Sequence, residues 1–211
     1  MLSRLQRGLE RLYRIETRLE VDDFVIDAEE RERMGVARQP REQLLVAQDQ
    51  DALSLGLFVD RDSLANLERH DPASRLDERN LQDFLFAVEG VSHFLYVAWR
   101  AQSDRSMSAL ELELQGEVDK YVTCVLTEDD GDVDRADHLR RRLFEDFELE
   151  PDLDAEERDR YREANAQASR YSQSLIRRFL RPRRVLDMLA ELRRFYRLDL
   201  VGKVDLIRAA A

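Results

Sequence analysis

Leu81 to Trp99 reads LQDFLFAVEGVSHFLYVAW and is apolar on every side. A surface helix carries one apolar stripe, whereas a helix that is apolar all round lies inside a larger core or spans a membrane. The run approaches the roughly 20 residues that a membrane span needs, but Gln82, Asp83, Glu89, Ser92 and His93 interrupt it. A buried core helix is therefore expected, with no membrane contact. Glu89 and His93 stand four residues apart and so share one face of that helix. Ionisable groups in a dry core are costly unless partnered, so this face is the first place to look for a functional site.

Several features of composition bear on that reading. The chain has 211 residues, enough for a full core. Glycine (7) and proline (4) are scarce, which favours long helices with short connections. Lysine occurs only at Lys120 and Lys203, against 32 arginines. That bias suits a GC-rich genome and suggests a bacterial source. The single cysteine, Cys124, excludes an intrachain disulfide and fits a reducing, cytoplasmic setting. It sits in an apolar helical run with no base nearby and reads as a core residue. Met1 to Leu19 is charged throughout and lacks the apolar segment of a signal peptide.

Charge is unevenly distributed. The net charge is −11, yet residues 161–211 hold 12 basic and 5 acidic side chains, a net of +7. The preceding 160 residues therefore carry −18.

Leu2, Leu5, Leu9, Leu12, Ile15 and Leu19 recur at helical spacing and predict an amphipathic first helix. Phe24–Ile26 reads as a short strand. Residues 27–43 are densely charged, contain Gly35 and Pro40, and read as an exposed mobile loop. Leu44–Ala47 and Leu53–Val59 flank a polar turn, QDQD, and predict a hairpin. With Phe24–Ile26 they would form a three-stranded antiparallel sheet. Asp60 or Asp62 then caps a short helix through Leu64 and Leu67. Helices are expected over about 77–101, 106–127, 134–147, 154–180 and 183–197. Asp154 and Glu157 form a capping-box variant at the fourth start, and Pro182 closes that helix. The tail after Asp199 favours a last helix over a hairpin at Gly202–Lys203. The expected fold is mainly α (α+β). It places an N-terminal helix and small β-hairpin layer (1–70) on a C-terminal bundle of about five helices (77–211).

A short loop makes the first two long helices antiparallel neighbours. With the turn centred near Asp104, His93 falls opposite Gly116 and Glu89 opposite Lys120. Glu113 and Glu117 lie on or beside the core stripe of the second helix. Glu89, His93, Glu113, Glu117 and Lys120 thus converge. Three readings compete: a satisfied buried network, a metal site, and acid–base catalysis by groups tuned through burial. One His among carboxylates favours Mg²⁺, Mn²⁺ or Fe²⁺ over structural Zn²⁺, with Glu89, His93, Glu113 and Glu117 as ligands. Tyr161, Asn165 and Tyr171 on the helix near 154–180 would line a pocket opposite His93, or else simply pack. His70 and His138 stand in polar, charged surroundings and read as surface residues.

Arg177, Arg178, Arg181, Arg183 and Arg184 bracket Pro182 and could form a phosphate or nucleic-acid patch. Equally, they could pair with the acidic remainder of this chain or of a second copy. No helix-turn-helix, zinc finger, P-loop, dinucleotide fingerprint, Gly-x-Ser-x-Gly or His-Glu-x-x-His pattern is present. The leading expectation is an interaction or accessory protein with a protein partner or a homo-oligomeric state. The alternatives are a metal-assisted hydrolase of a phosphate-containing substrate, and nucleic-acid binding through the arginines. The hydrolase reading expects the polar cluster and Arg177–Arg184 to open into one cleft.

Overall fold

The computed structural model describes residues 1–35, 38–49, 52–103, 105–127, 132–147, 149 and 152–210. The expected turn centres at 50–51 and Asp104 lie outside the described residues.

Leu81–Gln102 forms α4, the axis of the molecule. Around it pack α1 (Leu2–Tyr13), α3 (Arg61–Arg69), α5 (Ala109–Thr127) and the hairpin of β1 (Glu42–Asp49) and β2 (Ala52–Val59). That ring of neighbours explains why α4 needs no polar face: Ala87, Val88, Val91, Phe94 and Tyr96 have no exposed surface at all. No helix among the described residues is long and apolar enough to cross a membrane. Next come α6 (Val133–Phe144), α7 (Ala155–Leu175), α8 (Val185–Arg197) and α9 (Leu200–Ala210). One buried apolar cluster runs from Leu2 to Ile207. The mainly α architecture with a small antiparallel sheet is as expected from the sequence.

Local chemistry sets most boundaries. Asp154 accepts from the Glu157 amide while Glu157 reaches back to the Asp154 amide, so two amides at the start of α7 are satisfied. The last turn of that helix widens into a π segment, Ile176–Leu180, ahead of Pro182. Asp199 caps α9 by accepting from the Gly202 amide at 2.8 Å.

Two expectations need correction. Residues 27–43 are not simply a loop. A capping box at Asp27 and Glu30 starts α2 (Ala28–Arg33), whose charged sequence shows no apolar periodicity. Arg31 is held inside by Phe58, with its guanidinium 3.5 Å from the ring centre, and by the Pro40 carbonyl at 2.7 Å. Nor is the sheet three-stranded, because the hairpin β1–β2 is its whole extent among the described residues. Val25 makes one parallel bridge to Leu57. The capping box at Asp27 ends the extended run after Ile26, too soon for a strand.

Candidate metal centre

Two glycines bring the site together. A side chain at Gly90 would meet Leu57 Cδ1 at 2.8 Å and Glu42 Cγ at 3.0 Å, so glycine there lets the hairpin lie against α4. A side chain at Gly116 would meet His93 Nε2 at 2.8 Å, so glycine there gives the imidazole its place against α5. The helix-propensity cost of about 1 kcal/mol at each is thus exchanged for close approach of three elements. The facing pairs expected from the sequence, His93 with Gly116 and Glu89 with Lys120, are both present.

His93 Nε2 lies 3.6 Å from Glu113 Oε2, and its Nδ1 lies 4.0 Å from Glu42 Oε1. The residue is 7 % exposed, and Nε2 has no hydrogen-bond partner among the described residues. Lys120 Nζ joins Glu89 Oε2 at 3.0 Å and Glu117 Oε1 at 2.8 Å. Arg160 approaches Glu113 Oε1 at 4.0 Å from α7. One ligand atom each from Glu89, His93 and Glu113 falls within 4.8 Å of the others. A divalent ion with ligands at about 2.1 Å would draw such atoms to separations of roughly 3–4 Å. Glu117 stands apart from this group of three, its carboxylate engaged by Lys120.

These groups form the floor of a cleft of about 760 Å³. Leu85, Phe86, Leu112, Leu143 and Phe147 give it apolar walls, and Arg38, Arg41 and Arg142 also line it. Sequence reasoning misses Glu42 because it lies at the end of the charged stretch 27–43. The period-two alternation of a strand puts Glu42 on one face with Leu44 and Val46, which line the cleft with it, as does Gln43.

Other expected site residues are placed elsewhere. Tyr161 lines the cleft, but Asn165 and Tyr171 do not. Ten residues of helical rise carry Tyr171 about 15 Å past Tyr161, where its ring stacks on Phe195 at 4.2 Å. Asn165 is buried with its amide nitrogen unpartnered among the described residues. Arg177, Arg178, Arg181, Arg183 and Arg184 are absent from the cleft lining. Arg177 follows Tyr161 by sixteen positions, about 24 Å along the helix axis. Three of these arginines bind locally: Arg177 to the Ala210 carbonyl, Arg178 to Glu191 at 2.8 Å and Arg184 to Asp187 at 2.7 Å. The expectation that the cluster and this corner share one cleft is therefore not met.

Burial dominates the electrostatics of the floor. Burial lowers His93 to about 4, against its usual 6.5, so the ring is neutral at pH 7 with a lone pair to give. Burial first, then the Glu89 charge, raises Glu113 to about 8. Burial opposes charge on Glu89 too, but Lys120 and His93 bring it below the ordinary carboxylate value. Glu117 is raised, by burial and then by Glu89 against the pull of Lys120.

These shifts predict how metal-free protein responds to pH. A carboxyl raised in the folded state contributes most below its unfolded value near 4.5, and that contribution is lost as pH rises towards 8. His93 acts oppositely: its contribution is lost as pH falls from 6.5 towards 4. Between pH 6.5 and 8 the Glu113 effect prevails, and stability falls by up to about 1.4 kcal/mol per pH unit. Thermal melts of Glu113→Gln should show a flatter profile across that window. A slope equal to the wild type's would contradict this assignment.

No family model, curated protein or solved structure matches the chain.

Proposed function

We propose that the cleft is a divalent-metal centre and that the protein is a metal-assisted hydrolase of small phosphate-containing molecules. The observation that carries the reading is the buried, unpartnered Nε2 of His93 beside the Glu113 and Glu89 carboxylates. A buried nitrogen without a partner is costly, and a cation shared with those carboxylates relieves that cost. A bound ion of this kind supplies Lewis acidity and activates water at neutral pH. The chain supplies the rest. Glu89, His93 and Glu113 hold the ion. Glu117 holds the Lys120 ammonium beside that ion. Arg41, ion-paired with Asp60 and Asp83, and Arg142, ion-paired with Glu78, have side chains 57 % and 42 % exposed and would turn donors to an incoming phosphate. Those arginines replace the Arg177–Arg184 corner in this role.

Protein purified without chelator should retain Mn²⁺, Fe²⁺ or Mg²⁺ near stoichiometry, measured by elemental analysis and Mn²⁺ titration. His93→Ala should lose that ion with its circular dichroism unchanged. Chromogenic phosphate mono- and diesters should then be cleaved only with metal present, and not by Glu89→Gln. Wild-type protein that binds no Mn²⁺, or a His93→Ala variant that binds it equally, would remove the metal reading.

One observation favours a second reading, that of an interaction protein. Leu186 and Val201 are 81 % and 68 % exposed on the C-terminal helices. Sedimentation across a concentration series tests self-association through these exposed side chains: Leu186→Glu should lower the apparent mass if Leu186 is covered by a second copy.

A further inference from the structure

Only two lysines occur in a chain with 32 arginines, and neither is a surface residue. The Lys120 side chain is 13 % exposed, and Lys203 is completely buried. Arginine presents a broad planar fork, whereas the lysine ammonium is a compact point charge with three donors. Of the basic side chains, it comes nearest to a metal ion in shape.

Lys120 Nζ sits between two carboxylates, 3.0 Å from Glu89 Oε2 and 2.8 Å from Glu117 Oε1. Glu89 also belongs to the group formed with His93 and Glu113. A carboxylate shared between two cations, each holding a further carboxylate of its own, is the plan of a two-metal centre. There the ions stand about 3.5–4 Å apart and clamp the two oxygens of a displacement. One cation position here lies among Glu89, His93 and Glu113. The other, between Glu89 and Glu117, holds the ammonium. We propose that Lys120 takes the place of the second metal ion, so that the cleft is a mixed centre of one divalent ion and one fixed ammonium bridged by Glu89.

This inference rests on the metal reading above and narrows it. The centre takes a single ion. Its substrate is a phosphoryl group whose oxygens are divided between that ion and Nζ. No second free ion is needed to neutralise the charge. The ammonium is also built in, so it does not dissociate under chelation.

The test is Mn²⁺ stoichiometry, by equilibrium dialysis with elemental analysis and by low-temperature electron paramagnetic resonance on the full chain. Wild type should bind one Mn²⁺ with the six-line signal of an isolated ion. Lys120→Ala frees Glu89 and Glu117 and should bind two, with an exchange-coupled signal. Lys120→Ser gives the same readout should the alanine variant fail to fold. Lys120→Arg keeps the charge and should bind one. Two ions in wild type, or one in both the alanine and serine variants, would overturn the inference while leaving the metal centre standing. No Mn²⁺ in wild type would remove the centre itself, and this inference with it.

Discussion

Replacing Glu111 with alanine is expected to cost about 3–5 kcal/mol of folding stability. Glu111 is 3 % exposed and lies against Arg100, itself 2 % exposed. One carboxylate oxygen accepts from Arg100 Nη2 and from the Tyr96 hydroxyl. The other accepts from the Leu200 amide at 3.2 Å, at the start of α9. Arg100 also donates to the Leu198 carbonyl at 2.9 Å. One carboxylate therefore fastens α4, α5 and the entry to α9. Its removal strands a guanidinium inside the protein, and an uncompensated buried charge is what makes such truncations severe. Urea unfolding followed by circular dichroism gives the number. The double replacement Arg100→Met, Glu111→Leu should recover much of it, because no charge is then left alone. A single-variant loss under about 1 kcal/mol, the size of a surface pair, would show that the pair contributes little.

Asp119→Ala should have an effect of similar size, about 3–4 kcal/mol, by a different route. Asp119 accepts from Ser92 Oγ at 2.5 Å, from Gln115 Nε2 at 2.8 Å and from the Tyr13 hydroxyl. Gln115 in turn accepts from Lys203 Nζ at 2.7 Å. Lys203 also lies 4.4 Å from the centre of the Tyr96 ring. Burial drives this lysine well below its ordinary pKa, with Asp119 pulling the other way. Burial also raises Asp119 to about 6, although its three donors pull it down. Alanine would leave the Ser92 and Tyr13 hydroxyls without their acceptor in the interior, each at a cost of about 1–3 kcal/mol before relaxation, and Gln115 with only its longer bond to Tyr13. It would also loosen α1, which Tyr13 ties to α5. Hydrogen exchange should then accelerate in α1 and α9 more than in α6. Uniform protection in the variant would show that the network does not anchor the terminal helices.

This enclosed network lies behind the cleft. Ser92 and Asp119 immediately neighbour His93 and Lys120 in sequence but point about 100° away around their helices. The pairing of α4 with α5 is thus fixed on one side by a closed hydrogen-bonded set, while the other side carries the open carboxylate floor. Rigid support of this kind fixes the positions of the side chains in the floor.

The all-round apolar run at Leu81–Trp99 dictated a central buried helix, because nothing else covers such a segment outside a membrane. Polar or capping residues dictated several boundaries: the Asp154–Glu157 box, the Asp60 cap whose side chain accepts from the Ser63 amide, and the stop near Pro182. The antiparallel pairing of α4 and α5 was legible from their length and short connection. It was enough to bring His93 to Gly116 and Glu89 to Lys120. All of these signals are local or extend to the next element in the chain.

What the tertiary structure decided involves partners far apart in sequence. Tyr13 meets Asp119 across 106 positions, and Lys203 meets Gln115 across 88. Neither contact leaves a periodic trace, since one polar residue on an apolar face looks alike whether its partner is water or a distant side chain. Glu42 reached the floor because Gly90 admits the hairpin against α4, a consequence of packing rather than of propensity. The Arg177–Arg184 corner was kept out of the cleft by distance along one rigid helix. Local sequence sets which residues share a face, but only the closing of the chain sets which faces meet.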